Sequence, residues 1–359
     1  MKIAFVVGTR PEFIKTVSLI KECEKRKINY FIIHTGQHYS YELDTLFFEE
    51  LHIKKPEYNL NVGSSTHGEQ TGKMMVGIER ILVEERPDLV LVQGDTNTVL
   101  AGALSAKKLG IKVGHVEAGL RCYNIFMPEE INRRLTDHIS DFLFCPTLTN
   151  RDNLIRENID GKNIYVVGNT IVDVLYENLE LSKKKGEKIM NEIGITPGNY
   201  FLVTAHRQEN IDDKKTLINL LRGIENIQKK YDLPVIYPMH PRVHGSINKF
   251  SIKLLGNIKI IKPISYLESI YLQKYAKLIL TDSGGIQEEA CILGKPCVTL
   301  RENTERPETV DIGANVLAGT NPQKINDSVE KMLYAGTWKH PFGDGNTAKK
   351  ILDICMNKL

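Results

Sequence analysis

The chain has 359 residues, 42% hydrophobic and 25% charged, with a formal net charge of +3. That is the composition of a globular protein, and so small a net charge gives no argument for nucleic acid or a membrane surface as partner. No apolar stretch approaches the roughly 18 residues needed to cross a bilayer. A chain of this length calls for two domains.

The opening MKIAFVVGTRPEF carries a short apolar run, Ile3 to Val7, followed at once by loop and helix signals, so it reads as a first strand and not as a leader. Strand-like runs then alternate with helical ones to the end of the chain. In order they are Ile3–Val7, Tyr30–His34, Leu89–Gln93, Val113–Val116, Phe142–Cys145, Tyr165–Val167, Phe201–Thr204, Val235–Tyr237, Ile258–Ile261, Leu278–Leu280 and Cys297–Leu300. They are short, β-branched and apolar on both faces, as parallel strands covered by helices should be. Helix starts are marked by Pro11 after Arg10 and by Pro128 before Glu129. The basic run Lys183–Lys185 lies in a polar helical stretch and reads as solvated surface. The six cysteines are scattered without CxxC or zinc spacing, and Cys145 and Cys297 read as small core residues. We read the chain as cytoplasmic, with no disulfide needed, no metal site and no cofactor.

The alternation occurs twice, which predicts an α/β fold of two Rossmann-like doubly wound domains facing a central cleft. The boundary falls in Asn169–Asn199, where a long Lys- and Glu-rich helical stretch precedes the turn signal ITPGN. The first domain is residues 1–170 and the second 171–345. Open α/β sheets bind ligands beyond the carboxyl ends of their strands, and polar motifs gather there. Gly8-Thr9-Arg10-Pro11-Glu12 follows the first strand, with Lys15 one helical turn on. Gly94-Asp95 follows LVLVQ, and Glu117 follows VGHV. His206 and Arg207 follow FLVT, and His240 follows VIYPM. Each has a structural alternative: Asp95 as an N-cap, Glu129 as a first-turn helix acid, His206 as a structural histidine. Their common location favours a site.

The segment TDSGGIQEEA, residues 281–290, sits between an apolar strand and a helix. Helix N-terminal amides lack internal partners and attract anions, and glycines allow close approach to a phosphate. Glu289 lies four residues after Gly285, on the same helix side, where a carboxylate suits a ribose diol. Ser283, Gly284, Gly285 and Glu289 together point to a nucleoside diphosphate. A tight turn without ligand accounts for the same pattern.

The motifs GTRPE, GDTNT, GHVEAGLR, PEEINRRLTDH, GNTIVD, AHRQEN, LTDSGGIQEEA, NTERPET and KHPFGDGNT appear in this order along nearly the whole chain. In this the chain resembles the non-hydrolysing UDP-N-acetylglucosamine 2-epimerases. The resemblance implies a GT-B-like fold, with a last helix, residues 346–359, crossing back to the N-terminal domain. It implies a homodimer, UDP-GlcNAc, UDP-ManNAc and UDP as ligands, and a place in surface glycan synthesis. It matches Asp95, Glu117, Glu129 and His206 to the family's catalytic positions. It puts Ser283, Gly284, Gly285 and Arg306 on the diphosphate and Glu289 on the ribose. It gives the loop Pro263–Ser269, with Ile264 and Ser269, to the uracil. Arg10 and Lys15 add positive potential for the leaving diphosphate, and Arg133 is a candidate for sugar or phosphate, or for an ion pair on its helix. Some bacterial relatives carry an allosteric UDP-GlcNAc site, and Gln37, Arg207 and His240 match positions of it. A second glutamine of that site is replaced near Ser40. The loop RCYNIFMP, residues 121–128, also departs from many relatives. Rival readings are a hydrolysing epimerase, an epimerase for a UDP-2,3-diacetamido uronic acid, a GT-B glycosyltransferase and a UDP-sugar sensor.

Overall fold

The structure is a computed structural model that describes residues 1–36, 53–253 and 258–359. It divides into two compact units, Met1–Tyr176 with Pro341–Leu359, and Glu177–His340.

The first unit holds a parallel sheet built of β1 (Lys2–Val7), β2 (Asn29–His34), β3 (Tyr58–Asn59), β4 (Leu89–Gln93), β5 (Lys112–Val116), β6 (Phe142–Cys145) and β7 (Ile164–Val166). Their order across the sheet is β3-β2-β1-β4-β5-β6-β7. The helices are α1 (Arg10–Arg26), α2 (His67–Glu85), α3 (Asn97–Lys108), α4 (Pro128–Ile139), α5 (Leu148–Arg156) and the start of α6 (Thr170–Ile193). The last helix of the chain, α14 (Thr347–Lys358), belongs to this unit too. An Arg26–Asp353 ion pair at 2.6 Å ties it to α1.

The second unit holds β8 (Phe201–Thr204), β9 (Val235–Pro238), β10 (Ile258–Ile261), β11 (Leu278–Thr281), β12 (Cys297–Thr299) and β13 (Asn315–Leu317), in the order β10-β9-β8-β11-β12-β13. Its helices after α6 are α7 (Gln208–Ile211), α8 (Lys214–Tyr231), α9 (Pro241–Lys249), α10 (Tyr266–Tyr275), α11 (Gly284–Ile292), α12 (Pro307–Asp311) and α13 (Pro322–Leu333). Strand alternation shows in its cores. Phe201 and Val203 pack into one buried cluster with α8 and α13, while Tyr200 and Leu202 pack into another with the end of α6 and with α10. The expected α/β class with two Rossmann-like sheets is what the chain has.

Two edge strands, Tyr58–Asn59 and Asn315–Leu317, were not expected from the sequence. They are 2 and 3 residues long, too short to show a pattern, and each carries an asparagine that breaks the apolar run. Each sheet's strand order reverses once, between β1 and β4 and between β8 and β11. Helices leave to opposite faces at such a point and open a crevice at the carboxyl edge.

The turn from β1 into α1 is closed by Glu12, whose Oε2 accepts from the main-chain N–H of Gly8 at 2.6 Å and of Thr9 at 3.3 Å. Burial pushes the Glu12 carboxyl up from its usual 4.5 to about 7, against these hydrogen bonds. An unfolded chain releases this proton near pH 4.5, whereas the folded one keeps it to about 7. Stability therefore falls as pH rises through that window, by something on the order of 3 kcal/mol. Glu12→Gln keeps an acceptor oxygen and removes the titration. Its thermal midpoint should gain on that of the wild type between pH 5 and pH 8. Equal pH dependence in the two proteins would mean that Glu12 ionises as an ordinary surface acid.

Candidate active site

At the carboxyl edge of the first sheet, Gly8 brings the chain close against α3, since a Cβ there would collide with the Thr98 and Thr35 side chains. Arg10, the first residue of α1, is half-buried, and Lys15 one turn later is buried. Lys15 forms a buried ion pair with Glu117, the residue that follows β5. Glu117 has φ +69, and among the described residues it is the only buried non-glycine with positive φ; the others, such as Lys27, Arg86 and Asp232, are exposed. That conformation costs a side-chain-bearing residue on the order of 1–2 kcal/mol. A strained, buried, charged residue at a strand end is a mark of function. Asn169 also donates to Glu117 Oε1, from Nδ2 at 2.9 Å.

Asp95 follows β4 and Gly94. Its Oδ2 accepts from Arg133 Nε at 3.0 Å and Nη2 at 2.9 Å, and its main-chain oxygen accepts from Asn132 Nδ2 at 3.0 Å. Arg133 is 1% exposed and also pairs with Glu130. Its guanidinium thus spans two carboxylates, which gives it the work of holding Asp95 rather than a place on the helix surface. Glu130 in turn accepts from the main-chain N–H of Cys122 at 3.0 Å and Tyr123 at 3.2 Å. Burial opposes its ionisation, but these donors and Arg133 hold its carboxyl below the usual range. Glu129, its neighbour in the first turn of α4, is half-buried, and its side chain makes no hydrogen bond or ion pair among the described residues.

A buried network supports both loops. His115 has Asp137 Oδ1 at 2.7 Å from Nδ1 and Gly94 O at 2.7 Å from Nε2, so both ring nitrogens face acceptors. Asp137 Oδ2 also accepts from Gly119 N at 3.2 Å and pairs with Arg121 at 2.8 Å. Burial pushes the Asp137 carboxyl up, but His115 and Arg121 outweigh it and hold the group below its usual range. The loop that carries Asp95 and the loop that carries Glu117 are therefore pinned to one buried carboxylate.

At the carboxyl edge of the second sheet, Asp282 plays the corresponding part. It is fully buried, and Oδ2 accepts from the main-chain N–H of His206 at 2.8 Å and Arg207 at 2.9 Å and from Asn210 Nδ2 at 3.0 Å. The His206 side chain is 47% exposed, with its ring 5.8 Å from that of His240. His240 caps α9 and is exposed, and Arg207 pairs with Glu305 at 3.3 Å. Gln37 lies outside the described residues.

Ser283 is the N-cap of α11, and its side chain makes no capping bond. A Cβ on Gly284 would lie 2.5 Å from Glu305 Oε1, so any larger residue there would have to push the Glu305 side chain aside. A Cβ on Gly285 would meet nothing closer than Ser283 Oγ at 3.9 Å. Arg306 is buried, with Nε 2.5 Å from Glu288 Oε1, and Arg301 pairs with Glu305 at 2.9 Å. Glu289 is buried and accepts from Gln273 Nε2 at 2.6 Å, and the same nitrogen lies 3.3 Å from Ser269 Oγ. Ser269 and Glu289 are thus joined through Gln273; Ser269 lies in the first turn of α10 and Ile264 half-buried in the loop before it, so the expected loop Pro263–Ser269 is helical from Tyr266 on.

In the first unit, Lys15 meets Glu117 and Asp95 meets Arg133; among the described residues no side-chain hydrogen bond or ion pair joins Glu129 to either pair. In the second, the glycine helix start meets the Arg306–Glu305 cluster. Glu130, Asp137, Asn169, Gln273, Asp282 and Glu305 were missed, because nothing in their spacing says which loop they hold; Glu12 was missed although the Thr9-x-x-Glu12 spacing of a capping box signals it. Among the described residues no group of three His, Cys, Asp or Glu is arranged to hold a metal, and no helix is long and apolar enough to cross a membrane.

A family model described as UDP-N-acetylglucosamine 2-epimerase matches residues 21–356. A Methanococcus maripaludis protein named UDP-N-acetylglucosamine 2-epimerase is 56% identical over 364 residues, 99% of each chain. A Methanocaldococcus jannaschii protein of the same name is 54% identical over 99% of this chain and 98% of its own length. The crystal structure of Methanocaldococcus jannaschii UDP-GlcNAc 2-epimerase in complex with UDP-GlcNAc and UDP matches with a TM-score of 0.94 at 53% identity, covering 99% of this chain and 100% of that one. With this likeness along its whole length, and with charged side chains gathered at the carboxyl edge of each sheet, the chain belongs to the UDP-N-acetylglucosamine 2-epimerase family and is an enzyme of that kind.

Proposed function

We propose that the chain interconverts UDP-GlcNAc and UDP-ManNAc by anti elimination of UDP and its re-addition. The observation that carries this reading is the strained, buried Glu117, ion-paired to Lys15, at the strand end beside the Arg133-held Asp95 loop. A relative of 53% identity with UDP-GlcNAc and UDP bound supports the choice of substrate.

The hydrogen on C2 of the sugar is not next to a carbonyl, so direct removal is blocked. Breaking the C1–O bond first sends its electron pair to UDP and gives C1 cationic character, which acidifies C2–H. A carboxylate takes that proton, C1=C2 forms, and 2-acetamidoglucal remains with UDP. In the second half UDP adds back to C1, and a proton returns to the opposite face of C2. The leaving diphosphate needs positive potential, assigned to the start of α11 at Ser283-Gly284-Gly285, to Arg306 and Arg10, and to Lys15. Glu289 is assigned to the ribose, and Ile264 and Ser269 to the uracil loop. The sugar needs a base, an acid and nearby negative charge, assigned to Glu117, Asp95, Glu129 and His206. Arg133 acts through Asp95. No cofactor or metal enters the reaction. We place the enzyme in the cytoplasm as a homodimer, supplying an N-acetylmannosamine donor to surface glycan synthesis.

Proton NMR of the protein with UDP-GlcNAc in D2O should show UDP-ManNAc carrying deuterium at C2. Free ManNAc with UDP would indicate a hydrolysing enzyme. No turnover of either epimer, with exchange on a UDP-2,3-diacetamido uronic acid, would move the substrate. Glu117→Gln should lower turnover by about 10³-fold or more while UDP affinity stays within about threefold. A large loss of UDP affinity would remove Glu117 from the chemistry.

Gly284→Ala would set a methyl group against the Glu305 carboxylate and push that side chain and its Arg301 and Arg306 partners at the helix start. UDP binding by calorimetry should weaken by about tenfold or more, and unchanged affinity would take the diphosphate away from this helix.

A further inference from the structure

Two sequence motifs, GNTIVD at 168–173 and HPFGDGNT at 340–347, have no part in the chemistry above, yet they meet directly. Gly168 and Gly343 have φ +98 and +99, and a Cβ on Gly343 would lie 3.1 Å from Gly168 Cα. Asn169 N donates to Phe342 O at 2.8 Å, and Asp173 Oδ1 accepts from Ala348 N at 3.0 Å. Between these two contacts sits the Asn169 side chain, 1% exposed. Its Oδ1 accepts from Ile171 N at 3.0 Å, and its Nδ2 donates to Glu117 Oε1 at 2.9 Å. A main-chain N–H only donates, so the carboxamide orientation is settled: oxygen toward Ile171, nitrogen toward Glu117.

We infer that Asn169 is a positioning residue for Glu117, anchored from behind by the C-terminal segment around Phe342. Lys15 and Asn169 both address Oε1, one as a charged donor and one as a neutral donor. Lys15 sits on a long, flexible stem, whereas Asn169 has two of its polar groups committed to main chain and little freedom left. The amide therefore fixes the plane and direction of the carboxylate, and the lysine supplies its counter-charge. A Glu117 already in a strained backbone conformation has no local reason to keep one rotamer, so an outside anchor decides where Oε2 points. The inference rests on the reading that Glu117 acts on the sugar.

Asn169→Asp keeps the acceptor for Ile171 and the side-chain shape, and exchanges the donor to Glu117 for a second carboxylate oxygen, which adds like-charge repulsion to the loss of the hydrogen bond. Asn169→Ser keeps a short acceptor near Ile171 and is too short to reach Glu117. In the full-length chain Asn169→Ser should lose about 10- to 100-fold in kcat, the effect of one hydrogen bond to a charged group, and Asn169→Asp at least as much, with KM and UDP affinity within about threefold. Turnover is normalised to UDP-binding sites and the thermal unfolding of each variant is compared with wild type, so partial unfolding of the unit that holds Asn169 does not mimic the loss. Glu117→Gln is measured beside them. If Glu117→Gln is inactive and both Asn169 variants turn over as wild type, the positioning role is overturned and the catalytic reading stands. If Glu117→Gln is active, the catalytic reading fails first. Failure of both Asn169 variants to fold, or a rise in KM equal to the loss in kcat/KM, would make Asn169 a residue of the fold alone and overturn the inference.

Discussion

Within each sheet every strand pairing among the described residues is parallel, so the carboxyl ends of a sheet's strands share one edge. With the order 3-2-1-4 at the heart of each sheet, the helices on either side of the reversal leave that edge open at β1/β4 and at β8/β11. The rest of the chemistry depends on this. Any polar residue placed just after a strand in such a sheet arrives at the crevice, whatever its distance in sequence. Glu117 and Lys15 are 102 positions apart and still form an ion pair.

A second pattern recurs within each unit. Loops that carry the candidate site residues are held by a buried carboxylate from another place in the chain or from the helix that follows. Glu12 holds the Gly8–Thr9 turn, Asp137 holds Gly119 and, through His115, Gly94. Glu130 holds Cys122 and Tyr123, and Asp282 holds His206 and Arg207. Main-chain N–H groups in tight loops need acceptors, and a buried carboxylate satisfies several at once. Burying a charge is costly without such partners. Asp137 and Glu130 have cations close by and stay ionised; in Glu12 desolvation outweighs its amide donors and the proton is retained to about 7. Removing one of these acids would free a whole loop, which is a larger effect than the loss of one contact.

The architecture was legible because it is written in local terms. Five-residue β-branched runs such as LVLVQ announce buried parallel strands, and prolines after them announce helices. The edge strands at Tyr58 and Asn315 escaped because two or three residues carry no period, and Asn315 is held by side chains of Gln287 and Thr309 instead of by an apolar face. The strand-end placing of Asp95, Glu117, His206 and Ser283 was legible for the same reason as the strands. What was not legible is direction. In PEEINRR, two adjacent glutamates look alike in sequence, yet Glu130 turns inward to Arg133 and the 121–123 loop while Glu129 has no partner among the described residues. Helical geometry sets neighbours 100° apart, so only the packing of α4 on the sheet decides which acid is structural.

Glu117 shows how the surroundings override a local rule. Glycine at that position would relieve the positive φ, as Gly119 does two residues later, but would remove the buried carboxylate that pairs with Lys15 and Asn169. Keeping a glutamate there instead carries the strain of a left-handed backbone and the desolvation of a charge. Lys15 and Asn169 offset the second cost but not the first, since hydrogen bonds to a carboxylate do not change its own φ. Strain of this kind persists only when the surroundings over-determine it. Here they do so from three sides: the parallel pairing of β5 with β4 and β6, the Asp137 bond to Gly119, and the amide of Asn169 backed by Phe342. The side chain that breaks the local rule is thereby the one whose position the fold controls most closely.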